Sequence, residues 1–249
     1  MRIPRIHTTQ ELTAGRSLRL EPGPSRHIAR VLRLREGDPV ILFDGRGGEY
    51  SARIVSVDRH AVTAQTLEYH PGIPHSSLEI HLGIAASRGD RMDWALQKST
   101  ELGVAAITPL LTERTGLKLT GERAEKKFRH WQQIIASACE QCGRCLLPAL
   151  HSLQDLDPWL DATQAAGKFI LHPGTPSGVV AAEPPASVAL LVGPEGGFSD
   201  TEIADAKSAG FRPLSLGPRV LRTETAPLAA IAVLQATWGD MQPRRRQHT

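Results

Sequence analysis

Val188-Ala189-Leu190-Leu191-Val192 runs straight into Gly193-Pro194-Glu195-Gly196-Gly197, and this break decides the fold. About twenty residues on, Leu214-Ser215-Leu216 breaks in the same way into Gly217-Pro218-Arg219-Val220-Leu221-Arg222-Thr223-Glu224-Thr225-Ala226. Two strand ends, each followed by a glycine loop and then a helix, make a pocket of backbone amides and carbonyls. Such a pocket lies at the carboxyl edge of a parallel sheet and suits a nucleotide-like ligand. Glycine and proline also make ordinary tight turns. The second loop, however, gathers Arg219, Arg222, Thr223, Glu224 and Thr225 into seven positions, and a turn alone has no use for so much polar chemistry.

The flanking sequence agrees with this reading. Ser199-Asp200-Thr201-Glu202 is a capping box that opens a helix ending near Gly210. A last helix carries Leu228, Ile231, Leu234 and Trp238 on one face. Upstream, Phe169–His172, Val104–Leu111 and Leu78–Ala86 read as strands, and a helix runs from about Arg91 to Leu102. The spacing of Phe128, Trp131, Ile135, Ala138 and Cys142 predicts a long helix over 122–145 with one buried stripe. Strand and helix alternate throughout, so residues 77–243 are expected to form an α/β domain with a mainly parallel sheet. Residues 1–70 have a different texture. Short apolar segments are broken by Asp44-Gly45 and Gly47-Gly48, the pattern of a small β-barrel. His70-Pro71-Gly72-Ile73-Pro74-His75 is the linker between the two.

A chain of 249 residues with 41% hydrophobic content buries a full core, which excludes disorder as the default. No apolar run approaches the roughly 18 residues that span a bilayer, and the N-terminus lacks a signal core. A cytoplasmic protein with no membrane partner is expected. Residues 1–70 hold eleven arginines, eight acids and no lysine, whereas residues 71–249 hold eighteen charges of each sign. Arginine forks onto phosphates and stacks on bases, so the excess fits a nucleic-acid partner; arginine-rich codon usage accounts for it equally well. Pro243-Arg244-Arg245-Arg246 is either a solvated tail or a phosphate contact.

Cys139, Cys142 and Cys145 give C-x₂-C-x₂-C, three quarters of an iron–sulfur run. The fourth cysteine is absent and the three lie in the helical stripe, so packing thiols are expected and no metal. The ten histidines contain no H-E-x-x-H, and neither a G-x-S-x-G elbow nor a phosphate-loop lysine is present. Glu113-Arg114-Thr115 and Glu140-Gln141-Cys142-Gly143-Arg144 are polar clusters at a strand end and a helix end.

Together these motifs resemble the ribosomal RNA small subunit methyltransferase E family of SPOUT-class enzymes. The resemblance rests first on Leu191–Phe198 and Leu216–Ala226. His27, Val31-Leu32-Arg33, Gly37-Asp38, Asp44-Gly45, Gln97–Gly103, Glu113-Arg114 and Glu140–Arg144 extend it along nearly the whole chain. One departure is Pro227 directly after the Thr-Glu-Thr-Ala run, which a first helical turn tolerates. The resemblance implies a PUA-like RNA-binding barrel, a SPOUT parallel sheet with a C-terminal trefoil knot, and a homodimer with the active site near its interface.

The implied reaction methylates N3 of a uridine in small-subunit (16S) ribosomal RNA, within the 30S subunit, from S-adenosylmethionine. It places the cofactor on Leu171, Gly193, Pro194, Glu195, Gly197, Leu216, Gly217, Leu221, Thr223 and Ala226. Arg222, Glu224 and Arg144 become the catalytic candidates: Glu224 as base for the N3 proton, the arginines as cations toward the uridine anion. Glu224 also reads simply as an acid meeting a helix dipole. Arg5, Arg30, Arg33 and Arg114 are the candidate RNA contacts. Two other readings stay open: the same fold acting on a ribose 2′-hydroxyl or on transfer RNA, and a non-catalytic RNA-binding ribosome-assembly factor.

Overall fold

A computed structural model describes residues 3–59, 61–116, 121–172 and 183–241, so the Pro243–Arg246 run lies outside the described residues. The chain divides into two units, Met1–Pro74 with Ala136–Leu147, and His75–Ile135 with Pro148–Thr249.

In the first unit, β1 (Arg5–His7), β2 (Ser17–Arg19), β3 (Pro39–Phe43), β4 (Glu49–Val57) and β5 (Val62–His70) form one sheet in the order β1-β3-β4-β5-β2. β1 is parallel to β3 and the other pairs are antiparallel. The β3–β4 hairpin turns where Asp44-Gly45 predicts it: Gly45, Gly47 and Gly48 have φ of 79°, 105° and 79°, which only glycine adopts freely. Two register shifts between β4 and β5 bend the ribbon. The sequence reading missed the helical turn α1 (Pro22–Arg26), which a π-helical His27–Leu32 continues. It drives Ile28 into a core with Ile6, Val40, Leu42, Ile54 and Val62.

In the second unit, β6 (Glu79–Ala85), α2 (Asp90–Glu101), β7 (Ala106–Leu111), α3 (Gly121–Cys142), β8 (Ala149–Leu150), β9 (Gln154–Asp155), α4 (Leu156–Ala162), β10 (Gly167–Leu171), β11 (Ser187–Val192), α5 (Asp200–Ser208), β12 (Arg212–Leu214) and α6 (Ala226–Trp238) follow in turn. The strands pair in parallel, in the order β12-β10-β11-β6-β7-β8, with β9 also on β7. Because β11 inserts beside β6, the strand order reverses within the sheet, and such a reversal opens a crevice outside the carboxyl ends.

Val188 to Val192 are all buried, as a strand covered on both faces requires. Ala189 and Leu191 pack with Leu110, Trp159, Phe198 and Phe211. Gly83 permits this: a Cβ there would stand 2.5 Å from the Trp159 ring. α6 packs on β11 and on α2. Its fully buried Gln235 accepts from Ser76 Oγ at 2.7 Å and donates Nε2–H to the Gly103 carbonyl at 3.3 Å. Pro227 sits in the first turn of α6 without disturbing it.

Three boundaries differ from the sequence reading. The last strand ends at Leu214, two residues early. α3 stops at Cys142 because Gly143 turns left-handed at φ 95°. Its buried stripe is Trp131, Ile135, Ala138 and Cys139, with Phe128 and Cys142 only half-buried. The stretch Ala136–Leu147, read as part of the second domain, belongs with the first unit. There Glu140 Oε1 accepts the His7 amide at 2.9 Å and the Leu147 amide donates to Gly45 at 3.2 Å. Burial pushes the Cys139 thiol up to about 12, so it stays protonated and packs. Among the described residues no group of three or more His, Cys, Asp or Glu is arranged to hold a metal, and no helix is long and apolar enough to cross a membrane.

Candidate active site

The carboxyl ends of β10, β11 and β12 open onto a cavity of about 760 Å³. Its walls come from Leu171 and His172 after β10, Val192–Phe198 after β11, and Leu214–Gly217 with Arg219–Glu224 after β12, closed by Ala226 and Arg91. The volume falls in the range of nucleotide-sized ligand sites. Main chain forms much of the wall for steric reasons. Gly193 packs under Phe198, whose ring a Cβ would approach to 2.9 Å. Gly197 and Gly217 take φ of 68° and 98°, open to glycine alone at no cost. The Gly197 amide donates to the Pro194 carbonyl at 2.9 Å and closes the first turn.

The first loop is tied from below. Ser199 Oγ accepts from the Glu202 amide at 3.3 Å, while Glu202 Oε2 accepts from the Ser199 amide at 2.8 Å, the predicted capping box of α5. Glu202 Oε1 also accepts the Glu113 amide at 2.8 Å. Next to it, Arg114 Nη1 donates to the Gly196 carbonyl at 2.8 Å and to Phe198 at 3.3 Å. The segment after β7 and the loop after β11 are thus stapled together.

Charged side chains enter in two places. Arg222 is 84% exposed and stands 4.0 Å from Glu224, which is 17% exposed. Arg91 Nη1 donates to Glu195 Oε1 at 2.6 Å. Glu195 is held below the usual carboxylate range by its own backbone N–H and by Arg91, and Arg91 is raised in turn by that bond.

Of the residues expected from sequence, Leu171, Gly193, Pro194, Glu195, Gly197, Leu216, Gly217, Leu221, Thr223 and Ala226 line this one cavity, together with Arg222 and Glu224. Arg114 is not in the lining and holds the loop's carbonyls instead. Arg5, Arg30, Arg33 and Arg144 belong to the first unit. Arg30 and Arg33 are exposed there, Arg33 at a left-handed φ of 56° that ends the π-helical turn. Arg5 corrects the expectation of a phosphate contact. Its side chain is only 7% exposed, pairs with Glu49 and donates to the Arg144 carbonyl at 3.2 Å, so its charge is consumed inside the unit. Sequence reasoning missed Arg91 and His172; the only signal for Arg91 was its place just past the carboxyl end of β6.

The chain resembles known proteins over nearly its whole length. A model of an RNA methyltransferase domain matches residues 74–235, and one of an RNA methyltransferase PUA domain matches 25–67. A relative from Buchnera aphidicola (subsp. Schizaphis graminum), named ribosomal RNA small subunit methyltransferase E, is 35% identical over 96% of this chain and 98% of its own. A Legionella pneumophila methyltransferase structure with bound SAM superposes with a TM-score of 0.94 at 44% identity, covering 97% of this chain and all of that one. A ribosomal RNA small subunit methyltransferase E from Neisseria gonorrhoeae, bound to S-adenosyl methionine, gives 0.89 at 38% identity over 96% and 100%. The fold is a parallel-sheet α/β methyltransferase fold with a PUA-like region, and the chain belongs to the RNA methyltransferase family whose relatives are named ribosomal RNA small subunit methyltransferase E.

Proposed function

We propose that the protein methylates N3 of a uridine in small-subunit (16S) ribosomal RNA, with S-adenosylmethionine as donor and the 30S subunit as its setting. The observation that carries this reading is the cavity of backbone at the ends of three parallel strands, with an exposed arginine and a shielded carboxylate on its rim. The residues fit the donor. Gly193, Gly197 and Gly217 let main chain approach an adenosine closely, while Leu171, Leu216 and Leu221 supply apolar contact for the base. When bound, the donor supplies a methyl group already activated on a sulfonium.

The protein's task is then alignment and management of one proton. Uridine N3 bears a hydrogen, and the nitrogen becomes a strong nucleophile once that proton leaves. Glu224 is the acid of the cavity that faces Arg222, and we assign it as acceptor of the N3 proton. Arg222, reaching into solvent from the same loop, stabilises the negative charge left on the base. Arg30 and Arg33, exposed around the helical turn of the first unit, supply phosphate contacts.

A C-terminal trefoil knot and a homodimer belong to the same reading. The chain passes from edge strand β12 through Leu216–Thr225 to α6, which packs back on β11 in the sheet interior. Trp94, Val220 and Val233 are exposed apolar side chains of this unit, suited to a second copy.

Mass spectrometry of ribosomal RNA from a deletion strain tests the reaction. One N3-methyluridine is expected to vanish and to return with the intact gene; loss of a 2′-O-methyl instead would move the acceptor to ribose, and no loss would overturn the reading. Glu224→Gln is expected to slow methylation of 30S subunits by about 100-fold or more, and unchanged turnover would remove Glu224 as the base.

A further inference from the structure

We infer that Arg91 and Glu195 form a subsite for the zwitterionic amino-acid arm of the donor, Arg91 for its carboxylate and Glu195 for its ammonium. This rests on the cavity being the donor site and adds how the donor's non-adenosine end is recognised. An α-amino acid carries a negative and a positive group on one carbon, so its complement is a cation and an anion side by side. The cavity lining holds such a couple: Arg91 Nη1 and Glu195 Oε1 are 2.6 Å apart.

The couple is accessible and only partly used. The side chains are 52% and 44% exposed. Their contact employs one N–H of a five-donor fork and one carboxylate oxygen, and both residues belong to the cavity lining. Stability does not explain the pair, because exposed ion pairs contribute little. Nor is it needed to shape the loop, which the Gly197–Pro194 turn and the Arg114 clamp already fix. Glu195 stays ionised through its own amide and Arg91, as an ammonium partner must. The nearby Arg222–Glu224 couple is looser at 4.0 Å, with Arg222 directed to solvent.

Two probes separate the arm from the rest of the donor. S-adenosylhomocysteine and 5′-methylthioadenosine share the adenosine and a neutral sulfur, and differ in the zwitterionic arm. Titration calorimetry on the full chain is expected to show S-adenosylhomocysteine binding at least about tenfold more tightly. Arg91→Gln and Glu195→Gln should each cut its affinity about tenfold, while Arg91→Lys recovers part of the loss. Retained 5′-methylthioadenosine binding in these variants reports an intact fold. Equal weakening of both probes, or none, overturns the subsite. A wild-type protein that binds both probes equally overturns the subsite but keeps the cavity, and one that binds neither overturns the donor site itself.

Discussion

Two glycines separate packing from ligand contact at the level of single residues. Gly83 and Gly193 each lie where a Cβ would meet an aromatic ring, Trp159 at 2.5 Å and Phe198 at 2.9 Å. Both rings are buried in one core cluster and cannot swing aside cheaply. Gly83→Ala and Gly193→Ala should therefore each destabilise by about 1–3 kcal/mol through overpacking, read as a fall in denaturant midpoint. Only Gly193 lines the cavity, so only Gly193→Ala should also weaken S-adenosylhomocysteine, by about tenfold or more. Equal ligand loss in both would mean that general loosening, and not the loop, sets affinity. The cavity glycines and the Thr-Glu-Thr run were legible in the sequence because few other demands assemble those residues after a strand. Arg91 was not, since its partner Glu195 lies 104 positions away and neither residue signals the other. Arg5 was misjudged because a tally of cations cannot tell which ones an internal carboxylate consumes, and Glu49 consumes this one.

Element by element, legibility followed length. β6, β7 and β11 are strands of six or seven residues, mostly apolar, and were visible. β8 and β9 have two residues each, too few for any periodicity to emerge. α1 opens with Pro22-Gly23-Pro24, which reads as a turn, and its π-helical continuation departs from the 3.6-residue repeat that betrays ordinary helices. The capping box of α5 was predicted from four residues, but its second duty was not: Glu202 also receives the Glu113 amide from the segment after β7. Arg114 completes that junction by binding the carbonyls of Gly196 and Phe198. Arg114→Ala should consequently lower S-adenosylhomocysteine affinity, by roughly three- to tenfold for one lost charged hydrogen-bonding group. Binding of a short RNA should change little. The opposite pattern, RNA weakened and ligand untouched, would return Arg114 to the role its charge first suggested.

For the molecule as a whole, the unequal division of charge is the feature with a measurable consequence. The first seventy residues carry all the arginine excess, and Arg30 and Arg33 remain exposed after Arg5 has been spent internally. Replacing both by alanine should flatten the log–log salt dependence of RNA binding by about one to two and leave S-adenosylhomocysteine affinity unchanged. An unaltered slope would place the phosphate contacts elsewhere. The first unit is also discontinuous, since Met1–Pro74 is completed by Ala136–Leu147. During vectorial synthesis the first 74 residues emerge without the segment that caps them. At about 5–20 residues per second the missing piece arrives roughly 4–15 s later. Until then Arg5 lacks the Arg144 carbonyl and the His7 amide lacks Glu140, so the amino-terminal unit, though begun first, stays unfinished until nearly twice its own opening length has been made.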